Sequence, residues 1–253
     1  MLLKLDKLLK RPRKDVVVAG WFLLVSLLLV GAIWWSYREY ITTPPYVDPE
    51  RFPVKGIDVS AHNGMMNLDA AADDGIEFIF IKASEGENFR DENFVLNYQK
   101  ARHAGMKVGA YHFFRFDVDG VKQAVNLMRS VGARPLELGM VIDVEAEGNP
   151  EGYTPEEVAE NLQKMVDYLN LKGRRVMFYS NRAGYEKYLF RNFRGFPLWI
   201  CSFTDDNSAN NDWTFWQYYH HGKVAGIRGE VDLNVFHGSR AEWERVLAEK
   251  PTR

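Results

Sequence analysis

Leu138-Gly-Met-Val-Ile-Asp-Val-Glu145 is an apolar run that ends in two carboxylates two residues apart. Strand side chains alternate between faces, so Asp143 and Glu145 point the same way, with roughly 6.5–7 Å between their Cα atoms. The residues before them are apolar enough to be covered on both faces, as in a strand inside a parallel sheet. Acids at the C-terminal end of such a strand stand where α/β barrels keep their chemistry. With 34 acidic residues in 253, D-x-E triplets arise by chance. The position of this one sets it apart.

Outward from that strand, apolar strands alternate with amphipathic helices from Lys55 onward, the pattern of a parallel sheet wrapped by helices. Eight strands are expected, at 56–60, 78–84, 107–114, 138–145, 175–181, 197–203, 215–220 and 230–236. Helices are expected at 92–104, 118–131, Pro155–Leu171 and Arg240–Ala248. The third of these carries the clearest boundaries: Thr154 as N-cap, Pro155 at the first helical position, Glu157 completing a capping box and Gly173 as the stop. Little room for helices is left among the last three strands, where 204–212 is a polar loop rich in Asp and Asn. The expected fold is therefore α/β: an irregular, TIM-like β/α barrel of about eight strands with a helix-poor final third. There is no internal repeat and no low-complexity tract.

The first 50 residues are a different kind of sequence. Residues 16–35 (VVVAGWFLLVSLLLVGAIWW) are uncharged and long enough to cross a bilayer as one helix. Their Val, Leu, Ile and Phe residues contribute roughly −4 to −7 kcal/mol on an insertion scale. Lys4, Lys7, Lys10, Arg11, Arg13 and Lys14 precede the span, against Asp6 and Asp15. The positive-inside bias then places a basic tail (1–15) in the cytoplasm and everything after Trp35 outside it, in the periplasm or beyond the cell. Trp34, Trp35 and Tyr37 fit an interfacial aromatic belt. A cleaved signal peptide ending near Val30-Gly-Ala32 is the competing reading; the long apolar core and the Trp pair favour retention. A linker over 36–54, with Pro44, Pro45, Pro49 and Pro53, reads as short and stiff. The barrel domain is expected over 55–250.

Composition narrows the chemistry. Hydrophobic residues at 46% and aromatics at 14% supply a sizeable core, and a net charge of −2 gives no reason to expect nucleic acid. Cys201 is the only cysteine, which excludes an intramolecular disulfide and a Cys-based zinc site. No HExxH, P-loop or G-x-S-x-G motif is present, no cofactor is implied, and the six histidines offer no metal-ligand spacing. His220 and His221 are adjacent, so a regular strand would point them to opposite faces.

The strand ends are more informative. Asp58 closes the first strand, Glu85 the second, Tyr111 and Phe113 the third, and Asp143 and Glu145 the fourth. Tyr179 and Asn181 close the fifth, Trp199 lies on the sixth, Trp216 and Tyr218 on the seventh, and Asp232 and Asn234 on the eighth. If the strands are parallel, these groups converge on one cleft. Each acid alone has a plain alternative: Asp58 could cap a turn, and Asp232 could pair with Arg228. Together they repel and are costly to desolvate in an apolar mouth, so a cluster of them is better explained by function than by stability. Two carboxylates among aromatics suit sugar chemistry, because glycosidic cleavage needs a general acid and a partner for oxocarbenium-like charge. Repulsion from Asp143 is expected to keep Glu145 protonated. Tyr111, Tyr179, Trp199, Trp216 and Tyr218 are candidate stacking platforms, with Glu85, Phe113 and Asn234 completing the expected binding set.

Eight blocks then carry a resemblance, in one order: Gly56-Ile-Asp-Val-Ser60, Phe80-Ile-Lys-Ala-Ser-Glu-Gly86, Gly109-Ala-Tyr-His-Phe-Phe114, Asp143-Val-Glu145, Phe178-Tyr-Ser-Asn181, Pro197-Leu-Trp199, Trp216-Gln-Tyr218 and Val231-Asp-Leu-Asn-Val-Phe236. Across 55–240 the chain resembles glycoside hydrolase family 25, the Chalaropsis-type lysozymes or N-acetylmuramidases; the N-terminal span lies outside the likeness. The resemblance implies hydrolysis of the β-1,4 bond from N-acetylmuramic acid to N-acetylglucosamine in peptidoglycan strands. It implies Glu145 as general acid/base and Asp143 as holder of the substrate acetamido group, whose oxygen attacks with retention, above an acidic floor of Asp58 and Asp232. The chain departs from the usual pattern at His62-Asn63-Gly64, where Gln commonly precedes Gly, and at Ser84, where Thr is commoner. A non-catalytic glycan-binding scaffold of the same fold, or a hydrolase of another N-acetylhexosamine polymer such as chitin, are the alternatives.

Overall fold

The computed structural model describes residues 14–203 and 213–248. The basic residues 4–13 and the polar loop 204–212 lie outside them. The chain divides into two compact units between Thr43 and Pro44.

The first unit is one helix, α1 (Lys14–Thr42). At 1.5 Å per residue its 29 residues span about 40 Å. Its apolar side chains from Val16 to Tyr37 are exposed all round. It is long and apolar enough to cross a membrane. The helix runs past Trp35 to Thr42, so the first part of the expected linker is helical.

The second unit opens earlier than residue 55. Phe52 and Val54 are buried, and Phe52 packs against the rings of Trp213 and Trp216. From there the chain runs through β1 (Lys55–Val59), α2 (Leu68–Asp73), β2 (Ile76–Glu85), β3 (Phe89–Arg90), α3 (Phe94–His103), β4 (Lys107–Phe113), α4 (Gly120–Val131), β5 (Met140–Asp143) and α5 (Pro155–Leu171). It continues through β6 (Val176–Asn181), the short turn α6 (Arg182–Gly184) with a π-helical turn (Tyr185–Leu189), β7 (Leu198–Cys201), β8 (Phe215–Gly222), β9 (Val231–Phe236) and α7 (Arg240–Ala248). Eight strands form a closed ring in the order β1-β2-β4-β5-β6-β7-β8-β9, β1 pairing with both β2 and β9. The two-residue β3 hangs outside the ring on β2.

All eight expected strands and all four expected helices of this unit are present, with ends shifted by a few residues. Thr154 caps α5 and exchanges bonds with Glu157 as a capping box, and Gly173 follows the helix at φ 66°. Two features depart from expectation. The short α2 and the turns at 182–189 carry too few residues to show a period in sequence. And β9 runs antiparallel to both its neighbours, β8 and β1. The link over 223–230 is too short for the crossover that a parallel strand needs, so β8 and β9 form a hairpin instead.

The core has two layers. Outward-facing residues such as Ile57, Ile79, Val108, Ile142 and Phe178 pack under the helices, while Phe78, Phe80, Val141, Trp199, Phe215 and Trp243 fill the barrel. Fully burying each of these aromatics is worth about 1.5–3 kcal/mol, so the interior is a packed plug. Gly56 and Gly109 make room for it: a Cβ on either would lie 2.3–2.4 Å from the ring of Phe78 or Phe80. At the mouth above the plug, Tyr111, Phe113, Glu145 and Asp232 are partly exposed.

Candidate active site

Strand parity decides who reaches the mouth. On β5, Met140 and Ile142 belong to the outer layer and Val141 to the plug, so Asp143 and then Glu145 face inward. On β1, Ile57 and Val59 face outward and Asp58 inward. Asp232 is the registered neighbour of Asp58 across the β1–β9 pair. Asp232 stands at the N-terminal end of its strand, and it reaches the same mouth only because β9 runs the other way.

Asp58 is held from below by two amides. Its Oδ2 accepts from Gln217 Nε2 and Asn234 Nδ2, both at 2.8 Å. The amide oxygens are engaged in turn, by Tyr179 Oη at 2.8 Å and Trp199 Nε1 at 2.7 Å. The indole N–H can only donate, so the Asn234 oxygen must face it and its NH₂ must face Asp58. Burial pushes the Asp58 carboxyl up to about 6, with the bonds from Asn234 and Gln217 pulling the other way. Asp232 is pushed up to about 8 by burial and then by the charge of Asp58.

The other pair is less satisfied. Asp143 is 7% exposed, and its Oδ1 has no hydrogen-bond partner among the described residues. Burial first, and Glu145 second, hold its carboxyl well above the usual range, while Lys82 pulls it down. Glu145 is raised by burial first and by Glu147 next, against the hydrogen bond from Asn181 Nδ2 at 3.3 Å. The expected cause was repulsion from Asp143. Burial is the larger one, with Glu147 the first of the neighbouring charges.

Tyr111 stands among the acids: its phenol is held well above its ordinary value by burial, then by Asp58, Asp143 and Asp232. It is therefore a neutral hydroxyl throughout the working pH range. Phe113, on the same face of β4, lies 5.5 Å from the Lys82 ammonium, which also covers Phe89 at 5.4 Å. Glu85 accepts from Lys82 Nζ at 2.9 Å and lies 3.6 Å from Arg115, so it serves a rim ion-pair network.

Several expected platforms are elsewhere. Trp199 faces inward but is buried below the acids, stacked on Phe80 at 4.3 Å, and Tyr179 lies against it at 4.4 Å. Both hold the amides under Asp58 and present no free ring face to a sugar. Trp216 and Tyr218 point outward into the helix layer, and Trp216 Nε1 donates to the Ser202 carbonyl at 2.7 Å. Between them, Gln217 is the residue of β8 that enters the site. Its inward parity was hidden because both faces of β8 are covered, which erases the alternation. Asn181 lies two residues beyond Tyr179 on one strand face, and that spacing was the available signal for it. His220 and His221, expected on opposite faces, have ring centroids 3.9 Å apart, because β8 slips register between Tyr219 and Gly222.

Comparison with known proteins identifies the fold and the family. The family model of the glycosyl hydrolases family 25 matches residues 57–227. Lysozyme M1 of Streptomyces globisporus is 33% identical over 213 residues, covering 77% of this chain and 70% of that protein. The autolytic lysozyme of Clostridium acetobutylicum is 30% identical over 184 residues, covering 72% of this chain and 56% of that protein. The solved structure of a family 25 glycosyl hydrolase from Bacillus anthracis superposes with a TM-score of 0.74 at 34% identity, covering 80% of this chain and 96% of that one. A barrel whose mouth gathers Asp58, Asp143, Glu145 and Asp232, matched by that family over most of its length, makes the chain a glycoside hydrolase belonging to family 25.

Proposed function

We propose that the barrel cleaves the β-1,4 bond from N-acetylmuramic acid to N-acetylglucosamine, with Glu145 as general acid/base and the substrate's own acetamido oxygen as nucleophile. Hydrolysis of peptidoglycan follows from membership of a family of lysozymes and muramidases. The finer assignment rests on one observation above all: Asp143 presents a buried oxygen without a partner, on the same inward face as Glu145. A buried acceptor left unpaired is costly, and an acetamido N–H is the donor that would satisfy it. So oriented, the acetamido oxygen lies ready to attack the anomeric carbon, and Asp143 balances the positive charge of the oxazolinium that forms.

Glu145 is half-buried and its carboxyl is raised, which keeps a proton available for the departing oxygen. Asp58 is a poor rival nucleophile, since its Oδ2 already accepts two amide bonds. Tyr111 and Phe113 are the aromatic side chains placed to meet a sugar at the mouth. The test is digestion of purified peptidoglycan by the full-length protein in detergent, with borohydride reduction and mass spectrometry of the ends. Reduced muramic acid is expected, with the β anomer in the first product by NMR. Reduced glucosamine ends would overturn the bond assignment, and an inverted anomer the mechanism.

The same reading makes α1 a retained anchor that holds the barrel outside the cytoplasm, next to its polymer. Its support is the apolar span and the basic residues ahead of it in sequence. N-terminal sequencing of the mature protein is expected to return the uncleaved start; a start near Ile33 would make the helix a removed signal.

A further inference from the structure

We propose, resting on Glu145 being the general acid, that Asn181 is its positioning residue: a side chain locked by a helix cap so that it holds Oε1 and leaves the working proton on Oε2. Asn181 ends β6 and caps the turn α6, its Oδ1 accepting from Gly184 N at 2.8 Å. A backbone N–H can only donate, so the amide cannot flip, and Nδ2 is the atom aimed at Glu145. It lies 3.3 Å from Oε1 and is the one hydrogen-bond donor to that carboxyl among the described residues. An acid whose Oε1 receives an N–H carries its own proton on Oε2. That is the oxygen that delivers the proton to the leaving group and later recovers one from water.

The frame around this contact is stiff. Val144 N donates to the Tyr179 carbonyl at 2.9 Å, and the Val144 carbonyl accepts from Ser180 Oγ at 2.6 Å. The ends of β5 and β6 are thereby tied on both sides of the residue that precedes Glu145. Gly184 closes the frame: a Cβ there would lie 2.3 Å from Ser180 Oγ and 3.1 Å from the Val144 carbonyl. From the other side Asn149 Nδ2 donates to the Glu145 carbonyl at 2.9 Å and to the Phe114 carbonyl at 2.9 Å. The main chain of Glu145 is therefore fixed before its carboxyl is aimed, and Asn181 does the aiming.

Asn181→Ser and Asn181→Asp both keep an oxygen able to cap α6, and both remove the amide N–H that reaches Glu145, the serine hydroxyl being shorter and taken up by the cap. In full-length protein in detergent, each is expected to melt close to wild type and to turn over about tenfold more slowly, with KM little changed, a part of the roughly 10²–10⁴-fold worth of a general acid. The hydrogen bond holds the Glu145 carboxyl down, so its loss moves the alkaline limb of kcat/KM to higher pH, further in Asn181→Asp, which adds a negative charge. A second readout is the ¹³C carboxyl titration of Glu145, identified by its loss in Glu145→Gln, which should move the same way. A folded variant with an unmoved limb and an unmoved titration overturns the proposal. A moved titration in a protein whose wild type leaves peptidoglycan intact upholds the contact and sinks the muramidase reading instead.

Discussion

On the β1–β9 side of the mouth, Asp58 accepts two amide bonds of 2.8 Å, and each amide is itself bonded below to a buried tyrosine or tryptophan. On the β5–β6 side, the Glu145 carboxyl receives one longer bond of 3.3 Å, and Asp143 Oδ1 receives none among the described residues. Both sides are acidic and both are buried. The difference is that Asp58 Oδ2 has its donors without substrate, while Asp143 Oδ1 is left for substrate to fill. A preorganised charge has no reorganisation to undergo during reaction; a group that must release and recover a proton needs a freer carboxyl. In the proposed mechanism the contrast fits a fixed field at Asp58 and a moving proton at Glu145.

Substitution on the unfinished side should have the larger effect. Glu145→Gln keeps the volume and a hydrogen-bonding amide but has no proton to give at neutral pH. Turnover on peptidoglycan is expected to fall about 10²–10⁴-fold with the melting temperature nearly unchanged. Near wild-type hydrolysis would break the comparison at once. Asp143→Asn, in the same assay, is expected to cost about 10²–10³-fold, the size seen when one group stabilising developing charge is removed. It should also leave a residual rate that still depends on the acetamido group. A substrate lacking that group, cleaved at an undiminished rate by wild type, would show that Asp143 orients nothing.

The unfinished side was the more legible in sequence, for a physical reason. Leu138–Glu145 changes abruptly from apolar to acidic, and two acids at a spacing of two share a face whatever the rest of the strand does. Asp58 was visible for the same reason. The amides under it were not. Asn234 was assigned to substrate, and Gln217 sits between two aromatics on a strand covered on both faces, so Trp216 and Tyr218 looked like the functional pair. Trp199 and Tyr179 face inward as expected, but at a depth that only the packing of Phe80 and Phe215 below them reveals. The direction of β9 depended on the short link 223–230 rather than on any residue of the strand, and Asp232 reached the site by a route the parallel reading did not contain.

The smallest expected effect lies on the finished side, and it concerns stability more than rate. Asp232 carries a folded-state value of about 8 against 3.8 for the free side chain, raised by burial and then by Asp58. Below pH 4 the residue is protonated whether the chain is folded or not, and it then contributes nothing to pH dependence. Between pH 4 and 8 the folded chain keeps a proton that the unfolded chain releases, so stability declines as pH rises through that window. Above pH 8 the full cost of a buried charge beside Asp58 is present. Asp232→Asn removes that charge and keeps the shape. It should raise the melting temperature by roughly 2–4 °C at pH 9, the shift that about 1 kcal/mol produces in a domain of this size. The gain should shrink steadily on acidification and vanish near pH 4. Thermal melts of wild type and variant across pH 4–9 would show it. A gain of equal size at every pH would mean that the amide repacks the mouth rather than relieving a charge, and that the acidic floor is held at no electrostatic cost.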